Sequence, residues 1–253
     1  MKALGKIAIG VALLTAAMPA LAQDVVQQRG SSRSDGRAPK ANTSKAKPSS
    51  SDYRPAWYDQ GMAAIRDKNP GKAVELMKPL LADFEKRYAG EKRQIYCAVN
   101  AQQAKTYLDD AAKASVEAVT IEPDWCRAQY VRGYALIDLG QSDDALAAFK
   151  ALTALAPRNS RYLNELGYVL ADKKKYVEAL GVYQRALAAV TLSPDNSVSE
   201  SCTAYRGIGF AQTKLGKLGE AEKAYRACLA IDPDNDEVQG LIDDLSEERK
   251  LTV

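Results

Sequence analysis

The apolar positions of this chain follow a helical rhythm. Val238, Leu241, Ile242 and Leu245 stand at i, i+3, i+4 and i+7, one stripe of a helix, while Glu237, Asp243, Asp244, Glu247 and Glu248 point elsewhere. Upstream, apolar and small residues recur in a longer unit. Cys126 to Asn159 is one such unit of 34 residues, with Gly133 at position eight, Ala145 at twenty, Phe149 at twenty-four and Pro157 at thirty-two. A unit begun at Cys202 returns Gly209, Ala221, Tyr225 and Pro233 to the same places. A unit begun at Ser160 aligns Gly167, Ala179 and Tyr183, with its closing proline displaced to Pro194. A unit begun at Lys92 keeps Ala111, Ala118 and Pro123 but has Val99 for the glycine and Ser115 for the aromatic. A weaker unit near Arg54 carries Trp57, Gly61, Ala73 and Leu80.

Each recurring residue has a physical task. Glycine at eight and alanine at twenty allow two helices to approach closely, and the aromatic at twenty-four fills the space beside them. Proline at thirty-two lacks an N–H and disfavours helix at the residue before it, so it ends the second helix. The Asp or Asn that follows is a cap for the next helix. The spacing predicts helix, turn, helix, proline turn, repeated. A period of this length is the signature of a stacked array.

The repeat resembles the tetratricopeptide-repeat family over roughly residues 54 to 235. The resemblance implies an all-α fold, a right-handed superhelical solenoid of antiparallel helix pairs in about five units. Their expected bounds are 54–91, 92–125, 126–159, 160–201 and 202–235 within a repeat region of 52–235, followed by a capping helix and tail over 236–253. A solenoid needs such a polar-backed end to stay soluble. By the same resemblance, positions on the first helix of each unit line a concave groove that takes a partner. Mapped here, they are Arg93, Tyr96 and Asn100, then Arg127, Tyr130, Tyr134 and Asp138, then Arg161, Asn164 and Tyr168, then Arg206, Phe210 and Lys214. Tyr and Arg are enriched among binding hot spots, and Arg holds carboxylates with two parallel hydrogen bonds, so the groove suits a peptide bearing acidic groups. The family's clamp for chaperone C-termini is matched only by Asn100 and the charge of Arg161; Tyr96, Val131 and Glu165 depart from it.

The four cysteines, Cys97, Cys126, Cys202 and Cys228, allow three disulfide connectivities. The helix-pair register implied by the resemblance favours Cys202 with Cys228, and places Cys97 and Cys126 on first helices of adjacent units. Free thiols and a four-thiolate zinc site are the alternatives; wide spacing and the lack of histidine disfavour zinc.

The amino terminus reads as an export signal. Lys2 and Lys6 are its basic region, residues 7–17 its apolar run, and Ala20-Leu21-Ala22 a small-x-small cleavage site. The run is too short to span the roughly 30 Å of a bilayer core. Residues 1–22 are therefore expected to be removed, which places the protein in the periplasm or outside the cell and fits an even cysteine count. Residues 23–51 are rich in Ser, Gly, Pro, Lys and Arg and predict a disordered basic linker. The formal charge of +3 includes two lysines of the leader and a surplus of four in the linker; without them residues 52–253 carry about −3. Nucleic acid is not an expected partner.

The chain contains no histidine. That removes the usual general base and the commonest metal ligand. No phosphate-binding or nucleophile-elbow motif replaces it, so neither catalysis nor a cofactor is expected. The sequence points to a periplasmic protein-interaction scaffold for an envelope protein or peptide. The alternative is a binding module for cell-wall glycan or peptide.

Overall fold

The computed structural model describes residues 55–192 and 197–251. The expected leader, the linker and Pro194 lie outside these residues. Helix α1 (Ala56–Arg66) folds back on α2 (Pro70–Tyr88), and the chain then runs through β1 (Gln94–Cys97), α3 (Ala101–Lys113) and β2 (Ala118–Ile121). Three further helix pairs follow: α4 (Asp124–Asp138) with α5 (Ser142–Leu155), α6 (Ser160–Asp172) with α7 (Tyr176–Ala189), and α8 (Ser197–Lys214) with α9 (Leu218–Leu229). A 3-10 turn at Val190–Leu192 follows α7, and α10 (Asp236–Leu251) closes the array. The fold is an all-α solenoid of stacked helix pairs.

The repeated residues do the packing that their spacing predicts. The alanines at position twenty, Ala73, Ala145, Ala179 and Ala221, are completely buried. A Cβ placed on Gly133 would meet the Phe149 ring at 3.0 Å, and one on Gly167 would meet Tyr183 at 2.7 Å. Gly209 faces Tyr225 in the same way, so the glycine at eight receives the aromatic at twenty-four of its own unit. Tyr183 also packs against Gly207 of the next pair, which makes it a joint between units. In the first unit Met77 stands where the aromatic would, beside Gly61.

Turns and caps are equally regular. Asn69, Asn100, Asn159 and Asn235 each accept a hydrogen bond from the backbone N–H three residues on, satisfying one of the donors that a helix start leaves open. Position fifteen of each hairpin adopts the left-handed conformation: Lys68 (φ 58°), Gly140 (69°), Lys174 (59°) and Gly216 (74°). Only two of the four are glycine, the residue that takes this conformation without a steric penalty.

The second unit departs from expectation. Instead of a helix pair, 92–125 forms a β-α-β insert whose strands pair in parallel, Gln94 with Ala118 through Cys97 with Ile121. The reason lies in the two substitutions noted above. Without glycine at eight and an aromatic at twenty-four, the close helix contact has neither its gap nor its filler. The runs Ile95-Tyr96-Cys97 and Val119-Thr120-Ile121 carry β-branched and aromatic side chains that suit a pleated surface. The insert is looped out of the stack, so α2 packs directly along α4. Gly61 accordingly faces Val131 of α4 as well as Met77. A disulfide joins Cys97 on β1 to Cys126 on α4, with Cα atoms 6.2 Å apart. Cys97 is thus on a strand, not on a first helix. Tyr107 of α3 is buried with its ring 5.2 Å from that of Tyr96, and Arg158 pairs with Asp110 at 2.8 Å.

At the other end α10 buries Val238, Ile242 and Leu245, the stripe seen in the sequence, against Cys202, Ala221, Tyr225 and Cys228. The second disulfide, Cys202–Cys228, ties α8 to α9 with Cα atoms 4.7 Å apart.

Candidate functional site

The first helices α1, α4, α6 and α8 stand side by side, and the expected groove residues divide into three groups. Arg93, Tyr96 and Asn100 leave the groove altogether, because their segment is not helical. Arg93 is exposed before β1 and is held by Glu91, with its Nη2 2.6 Å from Oε2. The side-chain hydrogen bond from Arg93 pulls the Glu91 carboxyl down to about 2. Tyr96 lies on β1, and Asn100 is the cap of α3, its Oδ1 2.8 Å from Gln103 N. Gln103 answers by accepting from Val99 N at 3.0 Å, a reciprocal cap.

The second group is buried or half-buried, and most of it is engaged with the neighbouring unit. Tyr130 and Tyr134 are 1% and 2% exposed, so their rings are packing groups and not a contact surface. The Tyr130 ring touches Tyr134, Phe149 and Tyr162, with centroids between 5.4 and 6.4 Å apart. Its hydroxyl donates to Glu165 Oε1 at 3.2 Å. Burial pushes that hydroxyl well above the usual phenol range, and the Glu165 carboxylate adds to the effect, so it stays protonated and remains a donor. Arg161 Nη2 reaches Glu200 Oε1 at 3.4 Å, and Asn164 Nδ2 donates to the Glu200 backbone carbonyl at 3.1 Å. Arg206 is bonded to Glu237 of the capping helix. Arg127 folds back on Asp124 of its own helix at 3.0 Å. Sequence reasoning picked out the basic and tyrosine members of this ladder and missed Glu200 and Glu237. Their signal was one repeat away: each acid lies 31 to 39 residues beyond its partner, close to the repeat length.

The third group remains at the surface, toward the carboxyl ends of the first helices. Phe210 is half-buried, meets the Tyr176 ring edge-on at 6.2 Å, and carries Lys214 Nζ 5.4 Å above its face. Lys214 is exposed. Tyr168 and Asp138 stand on the first helices of the two preceding units, and burial raises the pKa of each, with Lys68 opposing the shift at Asp138. A recess of about 120 Å³ runs between Ile137, Gly140, Ser142, Tyr168, Val169 and Asp172. Ser142 Oγ donates to Asp172 at 2.9 Å across its mouth.

Among the described residues no group of three or more His, Cys, Asp or Glu side chains is placed to hold a metal ion. No described helix is long and apolar enough to cross a membrane.

Stacked helix pairs with glycine, alanine and aromatic residues in register define an all-α repeat protein. Two tetratricopeptide-repeat family models match it, one over residues 130–197 and one over 202–235. Among curated proteins, a CTR9 homolog of Arabidopsis thaliana is 34% identical over 104 residues, covering 41% of this chain and 9% of that protein. The Hsp70-Hsp90 organizing protein of Triticum aestivum is 31% identical over 113 residues, covering 44% and 18%. The match therefore spans less than a fifth of either relative. Among solved structures, MamA (41-end) from Desulfovibrio magneticus RS-1 superposes with a TM-score of 0.50 at 18% identity, covering 81% of this chain and 88% of that one. That likeness is one of fold.

Proposed function

We propose that this protein is a non-enzymatic scaffold of the bacterial periplasm, and that it holds an envelope protein or peptide along the face formed by its first helices. The carrying observation is the division of that face. Its deeper row is tied into ion pairs and hydrogen bonds between units, which fixes the helices, while Phe210, Lys214 and Asp138 stay at the surface. A half-buried aromatic beside an exposed lysine, with an exposed acid farther along the same row of helices, is the composition of a contact face. The leader expected at 1–22 and the two cysteine pairs support export. The wheat relative's name, an organizing protein for Hsp70 and Hsp90, supports protein binding as the general role.

The test is a photo-crosslinking residue at Lys214 in living cells, with Phe210→Ala in the same background. A single dominant envelope protein, diminished by Phe210→Ala, is the expected capture. An empty lane from folded, exported protein, together with co-sedimentation with purified cell wall, would instead establish the glycan-binding alternative.

A further inference from the structure

The looped-out insert creates a surface that the groove reading leaves unused. Where the carboxyl ends of β1 and β2 meet the end of α2, a cleft of about 770 Å³ opens, lined by Phe84, Tyr88, Ala98, Thr120, Glu122 and Asp124 among others. One wall is aromatic and rigid. Trp125 stacks on Tyr88 and Phe84 with centroids 5.5 and 6.1 Å away and rings within 9° of parallel. Phe84 and Tyr88 belong to a second helix of the array, α2, and Asp124 and Trp125 to the first turn of α4, so the cleft lies at the opposite end of α4 from Asp138.

The other wall is a strand edge. Gln94 N donates to Glu117 O at 2.8 Å and Ala98 N to Ile121 O at 3.1 Å. In a parallel ladder with that register, residues 117, 119 and 121 turn their backbone groups toward β1, and Ala118, Thr120 and Glu122 turn theirs outward. The described sheet has two strands, so that outer edge of β2 carries no strand partner. An open edge is a template for another extended segment.

Charge selects the occupant. From Ala114 to Cys126 the chain carries Glu117, Glu122 and Asp124 and not one lysine or arginine. Arg87 also lines the cleft, but its charge is met by Asp83 at 2.6 Å, and Arg93 lies within electrostatic reach of Glu117. Asp124 is taken by Arg127, but among the described residues Glu122 has no basic partner and is exposed. Phe84 and Tyr88, backed by Trp125, line the cleft and offer apolar surface to the stem of a long basic side chain.

We propose that the outer edge of β2 and the adjoining cleft form a second docking site, which takes an extended, lysine- or arginine-bearing segment of a partner protein as a third strand. The backbone of the segment pairs with Ala118, Thr120 and Glu122, and its basic side chains meet Glu122 and the aromatic wall. This site does not depend on the groove, so each stands or falls alone.

The probe is a short fluorescein-labelled peptide alternating valine and lysine, added to the oxidised full chain and followed by anisotropy. Saturable binding is expected, weakened about tenfold or more by Glu122→Lys and left unchanged by Lys214→Glu in the groove. N-methylation of one alternate set of peptide residues should abolish binding, while methylation of the other set is tolerated, because only alternate amides face the edge. That readout leaves the protein unaltered, so it stands even if a variant folds poorly. Equal binding of both methylated peptides or of a valine–glutamate peptide, or no saturation below about 1 mM, would overturn the proposal.

Discussion

At the residue scale, two neighbours in α4 test the packing account from opposite sides. Gly133 is a gap: the Phe149 ring occupies the place of its missing side chain, with no room for a Cβ beyond 3.0 Å. Tyr134 is a plug, 2% exposed, with its ring 6.0 Å from Tyr130. Gly133→Leu forces the ring or the helix to move and should cost about 1–3 kcal/mol or more. Tyr134→Ala leaves a cavity and should cost about 3 kcal/mol, a drop in Tm of roughly 6–12 °C for a domain of this size. Thermal unfolding by circular dichroism checks both. A Tyr134→Ala protein that melts like the parent would return that side chain to the binding surface, where its position on a first helix had suggested it belongs. Its ring packs on Tyr130, which in turn packs on Tyr162 and Phe149.

At the element scale, the four hairpin turns share one geometry but not one residue. Gly140 and Gly216 adopt positive φ without penalty, whereas Lys68 and Lys174 adopt it against the repulsion of their own Cβ. A Cβ-free residue at Lys174 should therefore stabilise the α6–α7 hairpin. Lys174→Gly is expected to raise stability by about 1 kcal/mol, measured as a higher urea midpoint with an unchanged slope. The neighbouring Lys173 is untouched by this change, and its Nζ pairs with the exposed Asp143 at 2.6 Å. The insert follows another logic. Its two short strands and one helix cannot bury a core of their own, and they rely on Tyr107, the Arg158–Asp110 pair and the Cys97–Cys126 bond to stay on the array. The helix pairs do not rely on them, since α2 packs on α4 without the insert between.

At the scale of the whole molecule, contacts between units hold the array. Tyr130–Glu165, Arg161–Glu200 and Arg206–Glu237 each span one junction, and the last ties in the cap. In a solenoid, stability is close to the sum of each unit's own and its junctions. The two disulfides act differently in that sum. Each closes a loop of 26 or 29 residues, worth about 3–4 kcal/mol if it acts only by restricting the unfolded chain. Cys202–Cys228 is internal to one hairpin, whereas Cys97–Cys126 clamps the insert. The paired Cys97→Ser and Cys126→Ser variant should speed amide exchange across 94–121 while exchange in α6 to α9 stays slow. Uniform acceleration along the chain would mean that the insert and the array unfold as one.

The sequence by itself determined the repeat: its length, its helix pairs from Cys126 onward, its buried alanines, its asparagine caps and the apolar stripe of α10. These are local or periodic features, and a period repeated in register names its neighbour as the surface on which it packs. The chemistry of the first-helix face was legible only in part. Arg161, Asn164, Arg206 and Tyr130 could be placed on it, but nothing local says that a basic or phenolic group will be met by an acid from the next unit. That pairing depends on the angle at which units stack. The tertiary structure also decided the fate of 92–125. Its alanines and proline keep the repeat register, yet strand pairing between residues 24 positions apart, and a disulfide to α4, outweighed a helical hairpin that lacked both its glycine and its aromatic. Non-local pairing of this kind leaves no period to read, so it became visible only once the chain was folded.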